Sequence, residues 1–414
     1  ALEGSGDQAV MVSCDLVGVD TATLETVRKK VKKRLRELAP KKILMNATHT
    51  HTAPVISDKA YPLQKPPCLK PSVYVEFMTD RMADAVVEAW NGRKAGAVSR
   101  AFGHAVVGHN RRACFFDGHA QMYANTNRED FDCLEGYQDH TVDMLFTWDS
   151  RRRLTGMLLN VACPSQVTEH LHEVSADYWH DTRKEIRKRH GKHLYILGHC
   201  GAAGDQSPHF LVYGQQEQDM RERKGVSERQ EIAKRIANAV DYMLPAARKG
   251  ISGNVPLAHV SKAITLAPRA IADWELERAN KHVAQLKSRN PKPGSPEAGL
   301  MGRQQRVQAK YDAQDPSKRF AMELHVLRIG DIALATNPFE LYLDFGLRVK
   351  ARSKAPQTLI TQLACDVGGY LPTEKAVRGG GYGAEPMSNN VGPEGGQELV
   401  EQTLKVIEKL WQSA

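Results

Sequence analysis

The feature that most constrains this chain is a repeated pattern. A short apolar run stops at a cluster of small or polar residues, and helical segments lie between several of the runs. The pattern appears after the runs that begin at Ile43, Leu154, Leu194, Ile332 and Thr358. Runs of this length and composition read as buried strands. The helical segments carry apolar residues at steps of three and four: Leu24, Val27, Val31, Leu35 and Leu38; Val75, Met78, Met82, Ala85 and Trp90; Leu399, Val400, Thr403, Ile407 and Leu410. That spacing puts them on one face of a helix. Buried strands combined with amphipathic helices predict an α/β fold, a mixed β-sheet core flanked by helices. Sites in such sheets form outside the carboxyl ends of the strands. The ends here carry His49 and His51, then Cys163, then Asp205 and Ser207, then Glu340, then Tyr370.

Smaller signals fill in the order. A polar loop holding His109-Asn110-Arg111-Arg112 is expected between strands at 97–107 and 141–148. The charged stretch 215–230 reads as a lid or a solvated helix start. Two antiparallel helices are expected at 273–289 and 300–311, and a hairpin turns at Gly330-Asp331. No internal repeat or linker divides the sequence, so one domain over residues 1–414 is expected. Ala1 to Asp7 reads as the end of one strand and a turn into the next, so a further strand is expected before residue 1.

Bulk properties exclude several classes. No apolar run approaches the ~18 residues of a membrane span. The net charge of +9 suits an acidic ligand or an anionic surface. The basic face of the first helix, Arg28 to Arg36, is a solvated outer face or a peripheral membrane contact. It lacks the aromatic interleaving of a nucleic-acid site, and no nucleic-acid partner is expected. The seven cysteines are odd in number and form no CxxC, so neither a disulfide framework nor a zinc knuckle is indicated. That pattern favours a reducing compartment.

The sequence Thr48-His49-Thr50-His51-Thr52-Ala53-Pro54 sits at one of these strand ends. If strand pairing continues through it, both imidazoles point the same way until Pro54 turns the chain. Two such rings suit a metal ligand and a proton carrier. An imidazole, a thiolate, a carboxylate and a phenolate from the other strand ends would complete a tetrahedral zinc shell. Each residue also has a plainer reading. Cys163 fits a small buried thiol, Glu340 a helix N-terminal charge, Tyr370 a core ring and Arg111 a structural ion pair.

An ordered set of short motifs resembles the neutral (non-lysosomal) ceramidase family. His49-Thr50-His51-Thr52-Ala53-Pro54 is similar to that family's HTHSGP, and Asn110-Arg111 to its Asn-Arg element. Gly204-Asp205-Gln206-Ser207-Pro208 resembles its GDxSP segment, Pro338-Phe339-Glu340 its P-G-E, and Tyr370 with Tyr382 its late tyrosine pair. The resemblance implies a ceramidase-like catalytic domain that uses Zn2+ to hydrolyse an amide (N-acyl) bond of a small or lipid-like substrate. It implies His49, Glu340 and Tyr370 as zinc ligands. Cys163 stands where the family has a second histidine, and His170 or His172 could reach back to the same place. It further implies His51, Arg111 and Tyr382 as catalytic groups, and Asn110, Asp205 and Ser207 around the substrate, with Ser207 in a supporting role. His199 and His209, beside that segment, are second-rank candidates. The family's C-terminal immunoglobulin-like domain has no counterpart in the sequence, and export would follow the family's habit. Two other readings stay open: a hydrolase of the same fold acting on a polar, sugar-like substrate, and a non-catalytic binding protein with a degraded site.

Overall fold

The computed structural model describes residues 1–62 and 65–412. The chain starts with β1 (Leu2–Gly4) and β2 (Asp7–Cys14), a hairpin turned at Ser5-Gly6. The next helix, α1 (Thr21–Arg34), begins where Asp20 accepts the Thr23 N–H, and it returns the chain to β3 (Ile43–Ala47), parallel to β2. Arg28 is buried on α1 and donates to the Ile43 carbonyl, which ties helix to strand. After the loop before α2 (Pro71–Asn91), part of which lies outside the described residues, comes β4 (Gly96–His104).

The expected polar loop after β4 is instead built from four short strands: β5 (His109–Asn110), β6 (Arg112–Phe115), β7 (Ala120–Met122) and β8 (Phe131–Leu134). Their alternation is too short to register as a period. Next come β9 (Thr141–Asp149), β10 (Leu154–Val161), α3 (Tyr178–His190), β11 (Tyr195–Cys200) and β12 (Gln206–Ser207). The charged stretch forms α4 (Gly214–Lys224), and α5 (Glu228–Lys249) opens on a reciprocal Ser227–Gln230 capping box. Strands β4, β9, β10 and β11 form one four-stranded sheet, in the order β11-β10-β9-β4, with only the β10–β11 pair parallel.

The second half begins at β13 (Leu257–Leu266). The expected antiparallel pair follows as α6 (Asp273–Ser288) and α7 (Pro296–Asp312). Then come the hairpin strands β14 (Phe320–Ile329) and β15 (Ile332–Thr336), β16 (Glu340–Leu341), α8 (Leu343–Arg352) and β17 (Gln357–Thr361). The last elements are β18 (Tyr370–Leu371), α9 (Glu374–Gly379) and α10 (Pro393–Gln412). Here the second four-stranded sheet runs β13-β14-β15-β17, with β15 and β17 parallel. The fold is therefore the expected mixed α/β arrangement, with its strands divided between sheets.

Backbone bonds stitch the carboxyl ends of the separate sheets together. Gln362 N–H donates to the Cys200 carbonyl (3.0 Å), Ala47 N–H to Leu363 (3.0 Å), and Cys365 N–H to Met45 (2.9 Å). The ends of β3, β11 and β17 therefore meet at one seam. Buried amides need partners, and these ends use one another.

Candidate active site

The seam presents His49 first. β3 stops at Ala47, so the two histidines do not continue a ladder as expected. His49 instead adopts φ 63°, the left-handed region that non-glycine residues seldom occupy and that persists where surroundings hold it. What holds it is the ring. Nδ1 lies 2.6 Å from the Val17 carbonyl, which can only accept, so Nδ1 carries the proton and Nε2 the lone pair. That lone pair faces Glu340 Oε2 at 3.4 Å. Burial is the largest influence and disfavours a charged ring here, yet the Glu340 charge, its hydrogen bond and the Val17 bond together raise the His49 pKa. Glu340 is affected conversely: burial would raise its carboxyl, but His49 and Arg111 together bring it below the ordinary range.

Glu340 and Tyr370 owe their positions to two-residue strands. β16 and β18 pair in parallel, with Glu340 opposite Tyr370 in the register. The Tyr370 hydroxyl bonds Glu340 and lies 3.3 Å from Arg111 Nη2. Arg111 is buried. Its Nη2 also donates to the Gly204 carbonyl (2.8 Å), and Nη1 donates to the Tyr123 hydroxyl (2.7 Å) and to Gln166 Oε1 (3.3 Å). Its Nε has no protein partner. Tyr382 stands over this group with its ring edge-on to Tyr370, centroids 5.4 Å apart, and is 49% exposed. Its glycine-rich loop is anchored from below by buried Arg112, which is bidentate to Glu135 and donates to the Gly380 and Tyr382 carbonyls.

His51 completes the group from the solvent side. Its Nδ1 faces Glu169 Oε2 at 3.2 Å, and its Nε2 lies 2.9 Å from the Gln166 amide nitrogen. One assignment satisfies every partner. Arg111 donates to Gln166, Gln166 donates to His51 Nε2, and His51 Nδ1 donates to Glu169. His51 Nε2, already accepting from Gln166, lies 3.3 Å from His49 Nε2, whose own lone pair faces the Glu340 carboxylate oxygen. His49 Nε2 and Glu340 Oε2 are acceptors facing each other, an arrangement that a proton on the ring or a cation satisfies. His49, Glu340 and Tyr370 thus fit a zinc ion as imidazole, carboxylate and phenol, the three-ligand count of catalytic zinc sites. The His49–Val17 bond is the orienting outer contact such ligands make.

Other expected residues lie elsewhere. Cys163 does not join the donors: its sulfur contacts the Pro164 (3.4 Å) and Val107 (3.7 Å) carbonyls in the core beneath β9 to β11, and burial raises its thiol pKa well above the ordinary value. An apolar pocket favours the neutral thiol over a ligating thiolate. His170 and His172 are exposed. Among the described residues no three of His, Cys, Asp and Glu are spaced as ligands to one metal. Asn110, Asp205 and Ser207 are buried, and the Ser207 hydroxyl lies 3.4 Å from the Tyr123 hydroxyl that Arg111 holds. Asn110 donates to Asp205, Asp205 accepts the Leu343 N–H at the start of α8, and the Ser207 hydroxyl accepts the His209 N–H. Burial raises the Asp205 carboxyl to about 6. His199 is a core residue, bonded to Thr361, whose burial lowers its pKa to about 3.

Sequence reasoning missed Glu169, Gln166 and Tyr123. Glu169 also meets His209 at 3.4 Å, and its carboxyl is held far below the ordinary range by His209 and His51. The signal available was position alone: Gln166 and Glu169 follow Pro164 at the same strand end that drew attention to Cys163.

No family model matches the sequence, and no curated protein matches it. Solved structures do match. The chain shares its fold with neutral ceramidase. The neutral ceramidase from Pseudomonas aeruginosa aligns over 98% of this chain and 67% of its own, with a TM-score of 0.68 and 17% identity. A ceramidase complexed with C2 aligns over 99% of this chain and 68% of its own, with a TM-score of 0.68 and 16% identity. The fold expected from the ceramidase-like motifs is therefore the observed one.

Proposed function

We propose that this protein is a zinc-assisted hydrolase that cleaves the amide bond of an N-acyl substrate. The observation that carries this reading is the convergence of His49 Nε2, His51 Nε2 and Glu340 Oε2, 3.3 and 3.4 Å apart, beside Arg111 and Tyr370. The fold shared with ceramidases supports the bond type. His49, Glu340 and Tyr370 would hold the ion. When bound, zinc supplies Lewis acidity and brings the pKa of a bound water toward ~7.

The chain's own groups do the rest. Glu169 accepts a hydrogen bond from the His51 Nδ1–H and so leaves Nε2 as the basic nitrogen that accepts a proton from the attacking water. His51 later returns that proton to the leaving nitrogen. Gln166 holds the ring from the other side. Arg111, kept charged and nearly dry, supplies a fixed positive field where negative charge grows on the acyl oxygen. Tyr382, on the exposed side, contacts the substrate, and the glycines at 380, 381 and 383 take the positive φ that holds its loop in place.

The test is metal analysis joined to a panel of N-acyl amides, from N-acyl sphingosines to N-acyl sugars. The expected result is about one zinc per chain, hydrolysis of an N-acyl member, and a loss of ~100-fold or more in kcat/KM with His49→Ala, in line with removal of a transition-state contact. Metal-free protein with undiminished activity, or full activity in His49→Ala, would overturn the reading.

A further inference from the structure

The ribbon next to the active-site arginine carries two cysteines that the mechanism does not use. Cys114 on β6 and Cys133 on β8 are directly opposite in the antiparallel register. The Glu135 N–H donates to the Arg112 carbonyl across the same ribbon (2.9 Å), which makes Ala113–Leu134 a non-hydrogen-bonded pair and Cys114–Cys133 the hydrogen-bonded pair beside it. Cα atoms in such a pair stand ~5.5 Å apart. That lies within the ~4.4–6.8 Å that a disulfide spans. Asp132 is bulged out of the ladder beside them. Cys133 is exposed and Cys114 half-buried, whereas Cys14, Cys163, Cys200 and Cys365 are buried.

We propose that Cys114 and Cys133 form a reversible cross-strand disulfide on exposure to a low-molecular-weight disulfide such as oxidised glutathione. Their chemistry divides the roles. Cys133 is the accessible attacker. Burial and the neighbouring Glu135 charge raise the Cys114 thiol to about 11, so it waits as the resolving group. The Cys133 thiolate attacks one sulfur of the small disulfide, a mixed disulfide forms, and one thiolate leaves. Cys114 then loses its proton to solvent and attacks the Cys133 sulfur, and the second thiolate leaves. Two protein thiols are oxidised, and one small disulfide is reduced to two thiols. The bond lies two residues from Arg112 on one strand and two from Glu135 on the other, so it clamps the ribbon that anchors the Tyr382 loop.

The test uses the full chain treated with oxidised glutathione, alkylated and mapped as peptides without reduction. Free thiols should fall from seven to five, an intrachain Cys114–Cys133 peptide should appear, and dithiothreitol should reverse both. Cys68→Ser removes the other exposed thiol and should leave the linked peptide unchanged. Cys114→Ser should stop at a glutathione adduct on Cys133, and Cys133→Ser should leave Cys114 free. A wild-type protein that halts at the Cys133 adduct with Cys114 still alkylated, or that links only through Cys68, would overturn the proposal.

Discussion

His49 and His51 bring their Nε2 atoms within 3.3 Å of each other. Both outer ring nitrogens are committed, to Val17 and Glu169, so the inner pair can only accept. This makes Glu169 the residue that decides what His51 can do. A charged acceptor fixes an imidazole tautomer more firmly than a neutral one. Glu169→Gln should therefore lower kcat ~10–100-fold with little change in KM, while thermal stability stays near wild type. Steady-state kinetics beside a melting curve checks it, and an unchanged kcat would remove Glu169 from the account. Neither this role nor that of Gln166 was legible in the sequence, because both depend on a loop that folds back over the β10 end. The histidines were legible as a pair, but their route into contact was not. The strand ends before them, and the left-handed turn at His49 brings the rings together edge-on.

At the scale of elements, the site rests on strands of two residues. β16 and β18 set Glu340 against Tyr370, and β5 and β12 bring Asn110 to Gln206 beside Asp205. Such pieces escape any periodicity argument, which needs four or more residues to alternate. The long strands and the helices, with clear runs and caps, were legible. Gly204 shows how tightly the short pieces fit. A Cβ there would lie 2.3 Å from the Glu340 carbonyl oxygen and 2.7 Å from its carbon, and the Gly204 carbonyl itself accepts from Arg111. Gly204→Ala must therefore push β16 away from the seam. We expect ~100-fold loss of kcat/KM and a lower zinc content, because misplacement by ~1 Å suffices for such losses. Activity and metal content at wild-type levels would show that the β16 position is not critical.

Across the whole molecule, polar contacts as well as the core tie the second half of the chain to the first sheet. Lys350 on α8 reaches Asp143 on β9 (2.9 Å) and Asp139 just before it (3.3 Å), and both acids are buried. Burial would raise the Asp139 carboxyl, but the Lys350 charge and the hydrogen bonds from Thr141 and Lys350 together leave it lowered. A lowered acid contributes stability above its unfolded pKa, and that contribution is lost as pH falls through the folded value. Lys350→Met leaves two buried acids without a cation and should cost ~3–5 kcal/mol at pH 7. The deficit should shrink as pH falls from 7 toward 4, when Asp139, no longer held low by Lys350, takes up a proton in the variant. Urea melts of both proteins at the two pH values measure this, and a deficit that is equal at both would contradict it.

The sheets bring the site together only where their strand ends meet. The sequence pattern predicted that the strand ends would supply the site and that a mixed α/β fold would hold it. The contribution of Cys163 was the misleading part, because sequence order placed it at a strand end while packing turned its sulfur into the core.

The central claim is a zinc ion held by His49, Glu340 and Tyr370 without Cys163. Anomalous diffraction from crystals of the zinc-loaded protein, collected on both sides of the zinc edge, tests it most directly. The account predicts a single strong peak bonded to His49 Nε2, Glu340 and the Tyr370 oxygen, with nitrogen and oxygen ligands at ~2.0–2.2 Å. A peak bonded to the Cys163 sulfur at ~2.3 Å, or the absence of any peak at this seam, would contradict it.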